Sequence, residues 1–98
     1  MITKLTKDNF EGETKGGLKL IEFFATWCGY CKKQETELEQ MDKVWIGQVN
    51  TDDEAELAIQ YRIASFPTFL VFKDGKEVTR FSGLHNKEDL MNILMKYI

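Results

Sequence analysis

The fold class that this sequence predicts is a three-layer α/β/α sandwich on a central mixed sheet. Three observations predict it. Apolar runs of strand length alternate with segments of helical spacing along the first part of the chain, as a parallel sheet requires. Two further strand-like runs then meet at Asp74-Gly75, a strong hairpin signal, and a last helix follows. Finally, 98 residues that are 43% hydrophobic and 12% aromatic supply one core rather than two, so residues 1–98 are expected to form a single domain.

The elements read in the order βαβαβαββα. Residues 2–5 make a short edge strand. Thr6 is placed to cap a helix over residues 6–15, which Gly16-Gly17 ends. Residues 18–25 are apolar apart from Lys19 and Glu22, the pattern of a buried central strand. Residues 27–41 read as a turn and a helix, and residues 44–50 as the next strand. Thr51-Asp52-Asp53-Glu54 has the form of a capping box, which predicts a helix over 52–61. Residues 68–73 and 76–82 are the hairpin strands. Asn86, with Asp89 three residues on, starts the final helix, whose Leu90, Ile93, Leu94 and Tyr97 keep helical spacing.

The totals exclude several classes of function. A net charge of −3 does not suit nucleic acid or an anionic membrane as the main partner. No stretch approaches the ~20 apolar residues that span a bilayer. The segment Met1 to Asp8 has no apolar core of a leader peptide, so the expected location is the cytoplasm, where thiols stay reduced.

That expectation bears on the only two cysteines, Cys28 and Cys31, which form a Cys-x-x-Cys at the junction of the central strand and the next helix. Free backbone N–H groups and the positive end of the helix dipole favour a thiolate at Cys28, and thiolate is the nucleophile of disulfide exchange. Cys28 is expected to be the exposed, attacking thiol, and Cys31, close to the same helix face, the shielded one placed to attack a mixed disulfide formed on Cys28. Gly29 leaves the turn free of a Cβ, and Lys32 and Lys33 add positive charge. The competing readings are weaker. Zinc takes about four ligands, and the chain offers two Cys and a distant His85, read here as a solvated loop residue. A structural disulfide closing so short a loop would stabilise by only about 2 kcal/mol.

Glu22 is the one acid within the run from Leu20 to Phe24, and strand parity puts it on the face of those two residues. A buried carboxyl should titrate high, which makes Glu22 a candidate proton acceptor for Cys31. Trp27 and Tyr30 flank the nucleophile, and with Phe66 and Leu84 they suit a flat apolar contact for substrate. Pro67, the only proline, opens an apolar strand where a ladder N–H can be spared.

Trp27-Cys28-Gly29-Tyr30-Cys31-Lys32 closely resembles the thioredoxin-family active site, which usually reads Trp-Cys-Gly-Pro-Cys-Lys. The resemblance covers nearly the whole chain. Asp8-Asn9-Phe10 looks like the family's opening, Leu20 to Ala25 like its strand before the cysteines, Tyr61 to Thr68 like its cis-proline loop, and Phe81-Ser82-Gly83 like its last strand and glycine. It implies the thioredoxin fold, a cis bond at Phe66–Pro67, and strand-like pairing of an extended substrate with the backbone of Phe66. It implies a buried acid at Glu22, usually Asp in the family. The sequence departs from the pattern in four ways. Tyr30 replaces proline, Gln48 stands where lysine often pairs with the acid, Thr36 replaces a kinking proline, and residues 32–43 are polar and short.

These readings converge on a monomeric protein-disulfide reductase that needs no bound cofactor, since the cysteine pair is the redox group. Its partners would be oxidised proteins and, as electron donor, a flavoprotein of the thioredoxin-reductase type. The non-proline dipeptide leaves open a more oxidising, isomerase-like or glutaredoxin-like protein. A redox-inert binding module on the same fold is a third reading, although such modules typically lose a cysteine.

Overall fold

The computed structural model describes residues 2–98. Nine elements follow in the expected order: β1 (Ile2–Leu5), α1 (Phe10–Thr14), β2 (Leu18–Phe24), α2 (Gly29–Glu39), β3 (Ile46–Asn50), α3 (Ala55–Gln60), β4 (Thr68–Lys73), β5 (Lys76–Ser82) and α4 (Lys87–Met95). The five strands form one mixed sheet in the order β1-β3-β2-β4-β5. β3 runs parallel to both β1 and β2, while β4 is antiparallel to β2 and to β5.

β2 is central because its sequence is apolar on both faces, as a strand covered from two sides must be. Ile21 and Phe23 point to one face, where Phe10 of α1 and Leu57 of α3 complete a core with Leu5, Val49, Leu70 and Phe72. Leu20 points to the other, where Leu38 of α2 and Leu90 and Leu94 of α4 close over Ile46, Phe69 and Val71. This second face carries Glu22 and the helix that begins at the cysteines.

Three local readings are corrected. The first helix starts at Phe10 rather than Thr6, because Asn9 folds back on the turn before it: its Oδ1 accepts from the Thr6 N–H at 2.7 Å and its Nδ2 donates to the Lys4 carbonyl at 3.0 Å. The strand expected from residue 44 begins at Ile46. The capping box is absent, and α3 begins at Ala55, since Thr51 and Asp52 are spent on β2 and its following turn. Thr51 Oγ1 donates to the Phe24 carbonyl at 3.0 Å.

The hairpin is as expected. Asp74 (φ 51°) and Gly75 (φ 86°) both adopt positive φ between the paired Lys73 and Lys76, the signature of a type I′ turn.

Gly47 of β3 shows how tightly the first core face is filled. A Cβ there would stand 2.5 Å from Cδ1 of the buried Leu5 and 2.8 Å from the Trp45 ring. Trp45 is held in turn by Lys19, whose Nζ lies 4.4 Å from the ring centroid. Gly47→Ala is expected to destabilise the protein by about 1–3 kcal/mol, the usual cost of an overpacked core. A denaturant midpoint unchanged from wild type would show that the ring moves aside freely.

Candidate active site

β2 ends at Phe24, and the chain turns through Ala25, Thr26 and Trp27 so that Cys28 becomes the N-cap of α2. Its sulfur accepts the Cys31 backbone N–H at 3.2 Å, filling the place of the side-chain oxygen that usually caps a helix. The Cys28 thiol also donates to the Phe66 carbonyl at 3.6 Å. Both cysteines are free. They are also almost equally covered, with Cys28 7% and Cys31 6% exposed, so the reading of one exposed and one shielded thiol does not describe them.

The difference between them is chemical. The Cys31 thiol is pushed up to about 12, first by burial, then by its hydrogen bond to Cys28, with the charges of Cys28 and Glu22 adding to the effect. Cys31 therefore holds its proton at neutral pH while its amide supports the sulfur of Cys28.

The turn before Cys28 is tied to the chain that follows β3. Asp52 accepts from the Thr26 hydroxyl at 2.6 Å and the Thr26 N–H at 3.0 Å, and its other oxygen accepts from the Trp27 indole N–H at 3.3 Å. These bonds, the Thr26 hydroxyl first, hold the Asp52 carboxyl below its ordinary range. Asp52 is a site residue that the sequence reading assigned to a helix cap. The same Asx-type pattern supports both readings, and only the fold shows which backbone lies opposite.

Trp27 is 69% exposed and Tyr30 60%, and the Trp27 ring meets the half-buried Phe66 edge-on at 5.5 Å. Phe66–Pro67 is cis. Gly83, at φ 91°, donates its N–H to the Pro67 carbonyl at 2.9 Å, which sets the exposed Leu84 beside that loop. Gly29 opens α2 with free space around its Cα. His85 is not a solvated residue. Its ring packs edge-on against Phe81 at 4.9 Å, and its Nδ1 lies 2.8 Å from the Gly83 carbonyl.

Beneath the cysteines, Glu22 is 1% exposed. Its register partner on β3 is Gln48, whose Nε2 donates to Glu22 Oε1 at 2.8 Å and to Glu35 Oε1 of α2 at 2.6 Å. Glu22 Oε2 is buried without a partner. Burial raises the Glu22 carboxyl from 4.5 to about 7, the Gln48 hydrogen bond opposes that, and the charge of Glu35 adds to it. Two points of the sequence reading change here. Gln48 stabilises the ionised acid rather than merely omitting a positive charge, and Glu35, unremarked in the sequence, supplies a negative one. Glu22 makes no hydrogen bond to Cys31; its influence on that thiol is through its charge. Among the described residues no group of three or more His, Cys, Asp and Glu is placed to hold a metal ion, and no helix is long and apolar enough to cross a membrane.

A free dithiol whose first sulfur caps a helix, with the second cysteine one turn on and a proline loop facing both, defines a dithiol–disulfide oxidoreductase site. The known proteins that share this arrangement narrow the class. The family model described as thioredoxin matches residues 1–96. The thioredoxin of Chlamydia caviae is 42% identical over 101 residues, covering 99% of each chain, and that of Staphylococcus epidermidis is 36% identical over 102 residues, covering 99% of this chain and 98% of its own. The solved Fasciola hepatica thioredoxin superposes with a TM-score of 0.84 at 34% identity, covering 98% of this chain and 99% of that one. Reduced Schistosoma mansoni thioredoxin superposes with a TM-score of 0.82 at 28% identity, covering 99% and 98%. The chain belongs to the thioredoxin family, and it is a thioredoxin-type disulfide oxidoreductase.

The raised carboxyl of Glu22 has a consequence for stability. Its folded-state value near 7 lies above the value of 4.5 that applies when it is solvated. The folded protein thus binds the extra proton, and the stability tied to it is complete below about pH 4.5 and lost as pH rises through 7. At about 1.36 kcal/mol per unit the loss reaches roughly 3 kcal/mol. Glu22→Gln should escape it, so that denaturant melts of variant and wild type diverge progressively between these two pH values. Parallel curves would show a solvated carboxyl.

Proposed function

We propose that the two cysteines divide the reduction of a protein disulfide between them, Cys28 attacking and Cys31 resolving. The observation that carries this is the capped sulfur: Cys28 Sγ accepts the Cys31 N–H at 3.2 Å at the start of α2, a geometry that stabilises negative charge on that sulfur. In the first step the Cys28 sulfur bonds to one sulfur of the target disulfide, and the other leaves as a thiolate that takes up a proton. In the second, Cys31 loses its proton, its sulfur bonds to Cys28, and the target's remaining sulfur departs. The target gains two electrons and the pair becomes a disulfide.

Cys31 must be deprotonated in the second step although its thiol is pushed up to about 12. Glu22, raised to about 7, has the proton affinity of a base near neutral pH and lies close enough for its charge to act on Cys31. The substrate surface comprises Trp27, Gly29, Tyr30, Phe66, Pro67, Gly83 and Leu84, with the Phe66 backbone pairing with an extended segment of the target. Two electrons return from a flavoprotein of the thioredoxin-reductase type. The protein would act as a single-domain monomer in the cytoplasm, where a reduced dithiol is maintained. Tyr30 in place of proline suits a less reducing potential than is usual for the family, because it removes a ring that stiffens the turn between the sulfurs.

Reduction of insulin in the presence of dithiothreitol tests the assignment. Cys28→Ser should be inactive. Cys31→Ser should retain the attack and accumulate a mixed disulfide visible by intact mass. Glu22→Gln should keep both steps but turn over about tenfold or more slowly, the scale of a positioned base. Mixed disulfides accumulating on Cys31 in the Cys28→Ser variant would reverse the roles.

A further inference from the structure

α2 buries a residue that a helix of this kind has no need to make polar. Gln34 is fully buried, on the covered face with Cys31 and Leu38, one turn after the first and one before the second. An amide in that position is costly unless both its groups are paired. They are paired with one residue: Nε2 donates to the His85 carbonyl at 2.8 Å, and Oε1 accepts the His85 N–H at 2.9 Å. A single side chain of α2 thus serves both backbone groups of His85, in the way a neighbouring strand would.

The segment it grips joins β5 to α4; the His85 ring packs against Phe81 and Phe69 with its Nδ1 at the Gly83 carbonyl, and the Lys87 N–H donates to Glu37 Oε1 at 2.8 Å, but only Gln34 pairs with the His85 backbone. Gly83 is bonded to the Pro67 carbonyl at 2.9 Å, and the Asn86 side chain accepts the Asp89 N–H at 2.9 Å as the cap of α4. Leu84 lies between Gly83 and His85, with its side chain 43% exposed. The contacts close a circuit around the cysteines. Cys28 touches the Phe66 carbonyl, Pro67 receives Gly83, His85 is bound to Gln34, and Gln34 stands one turn from Cys31 on the helix that Cys28 caps.

We propose that Gln34 is a positioning residue for recognition of protein targets: by clamping His85 it fixes Leu84 as one wall of the groove that receives the polypeptide around the disulfide. The proposal rests on the reading that Cys28 attacks disulfides held in that groove. A target chain long enough to cross from Trp27 to Leu84 uses this wall, whereas a small aromatic disulfide meets only the sulfur and its immediate surroundings. Both Gln34 hydrogen bonds go to His85 and neither to a sulfur, so its effect falls on substrate discrimination.

Stopped-flow reduction of insulin and of 5,5′-dithiobis(2-nitrobenzoate) by the pre-reduced full chain tests it. Gln34→Leu keeps the size and removes both hydrogen bonds. It should lower the insulin rate constant relative to the small-disulfide rate constant by about tenfold, equivalent to ~1.4 kcal/mol. Amide exchange at His85 should accelerate with it. Leu57→Ala, in the core on the opposite face of the sheet, is the control for lost stability and should leave the ratio of the two rates unchanged. Leu84→Ala, at an exposed position, keeps the question answerable if Gln34→Leu does not fold, and should produce the same insulin-specific loss. Equal losses on both substrates, no change in Gln34→Leu, or a normal insulin rate in Leu84→Ala would overturn the proposal. Failure of the wild type to reduce insulin would instead contradict the reading on which it rests.

Discussion

The sulfur of Cys28 at the N-cap of α2 is the interaction on which the rest of this structure depends. A helix begins with backbone N–H groups that have no partner within it, and here one of them, from Cys31, is satisfied by a thiol sulfur. The position follows from the sheet. β2 is apolar on both faces and so takes the centre, its C-terminal end at Phe24 delivers the chain to the end of the sheet beside the proline loop, and the Phe66 carbonyl then lies within reach of the same sulfur. Cap, loop contact and proposed nucleophile are thus one atom. Any change that moves β2 relative to α2 acts on all three.

The second constraint is a negative charge kept in the wrong place for stability. Glu22 is central in the sheet and its Oε2 has no partner, while Gln48 divides one amide between Glu22 and Glu35. A lysine at position 48 would hold the acid ionised. An amide with a second carboxylate behind it does the opposite overall, because burial and the charge of Glu35 outweigh its hydrogen bond. The outcome is a carboxyl near neutrality under a thiol whose proton is hard to remove. This arrangement costs folded-state stability above neutral pH, and it suits the proton-accepting role proposed for Glu22.

Much of this was legible in the sequence where the determining interactions are local or periodic. The Cys-x-x-Cys after an apolar strand, the parity that buries Glu22 with Leu20, the Asp74-Gly75 turn and the Asn86 cap with Asp89 each depend on neighbours a few residues apart, and each is found as read. What escaped depends on partners distant in sequence. Thr51 and Asp52 have the look of a helix cap, yet Phe24, Thr26 and Trp27 compete for them and win, so α3 is shorter than its pattern suggests. Glu35 drew no reading of its own, because the residue that ties it to Glu22 is Gln48, 13 positions along the chain. Gln34 and His85 gave no signal, because neither a buried amide nor the residue whose backbone it grips follows any short-range rule.

The two thiols show why composition and exposure are insufficient guides to role. Their fractional exposures are indistinguishable, and access alone would make them equivalent. Their surroundings differ: one sulfur receives a backbone N–H at a helix start, and the other is held protonated by burial, by its neighbour sulfur and by Glu22. Alkylation of the reduced protein at pH 7 with substoichiometric iodoacetamide, followed by peptide mapping, tests that distinction most directly. The account predicts carboxamidomethyl label on Cys28 in large excess over Cys31. Equal labelling, or label mainly on Cys31, would contradict it.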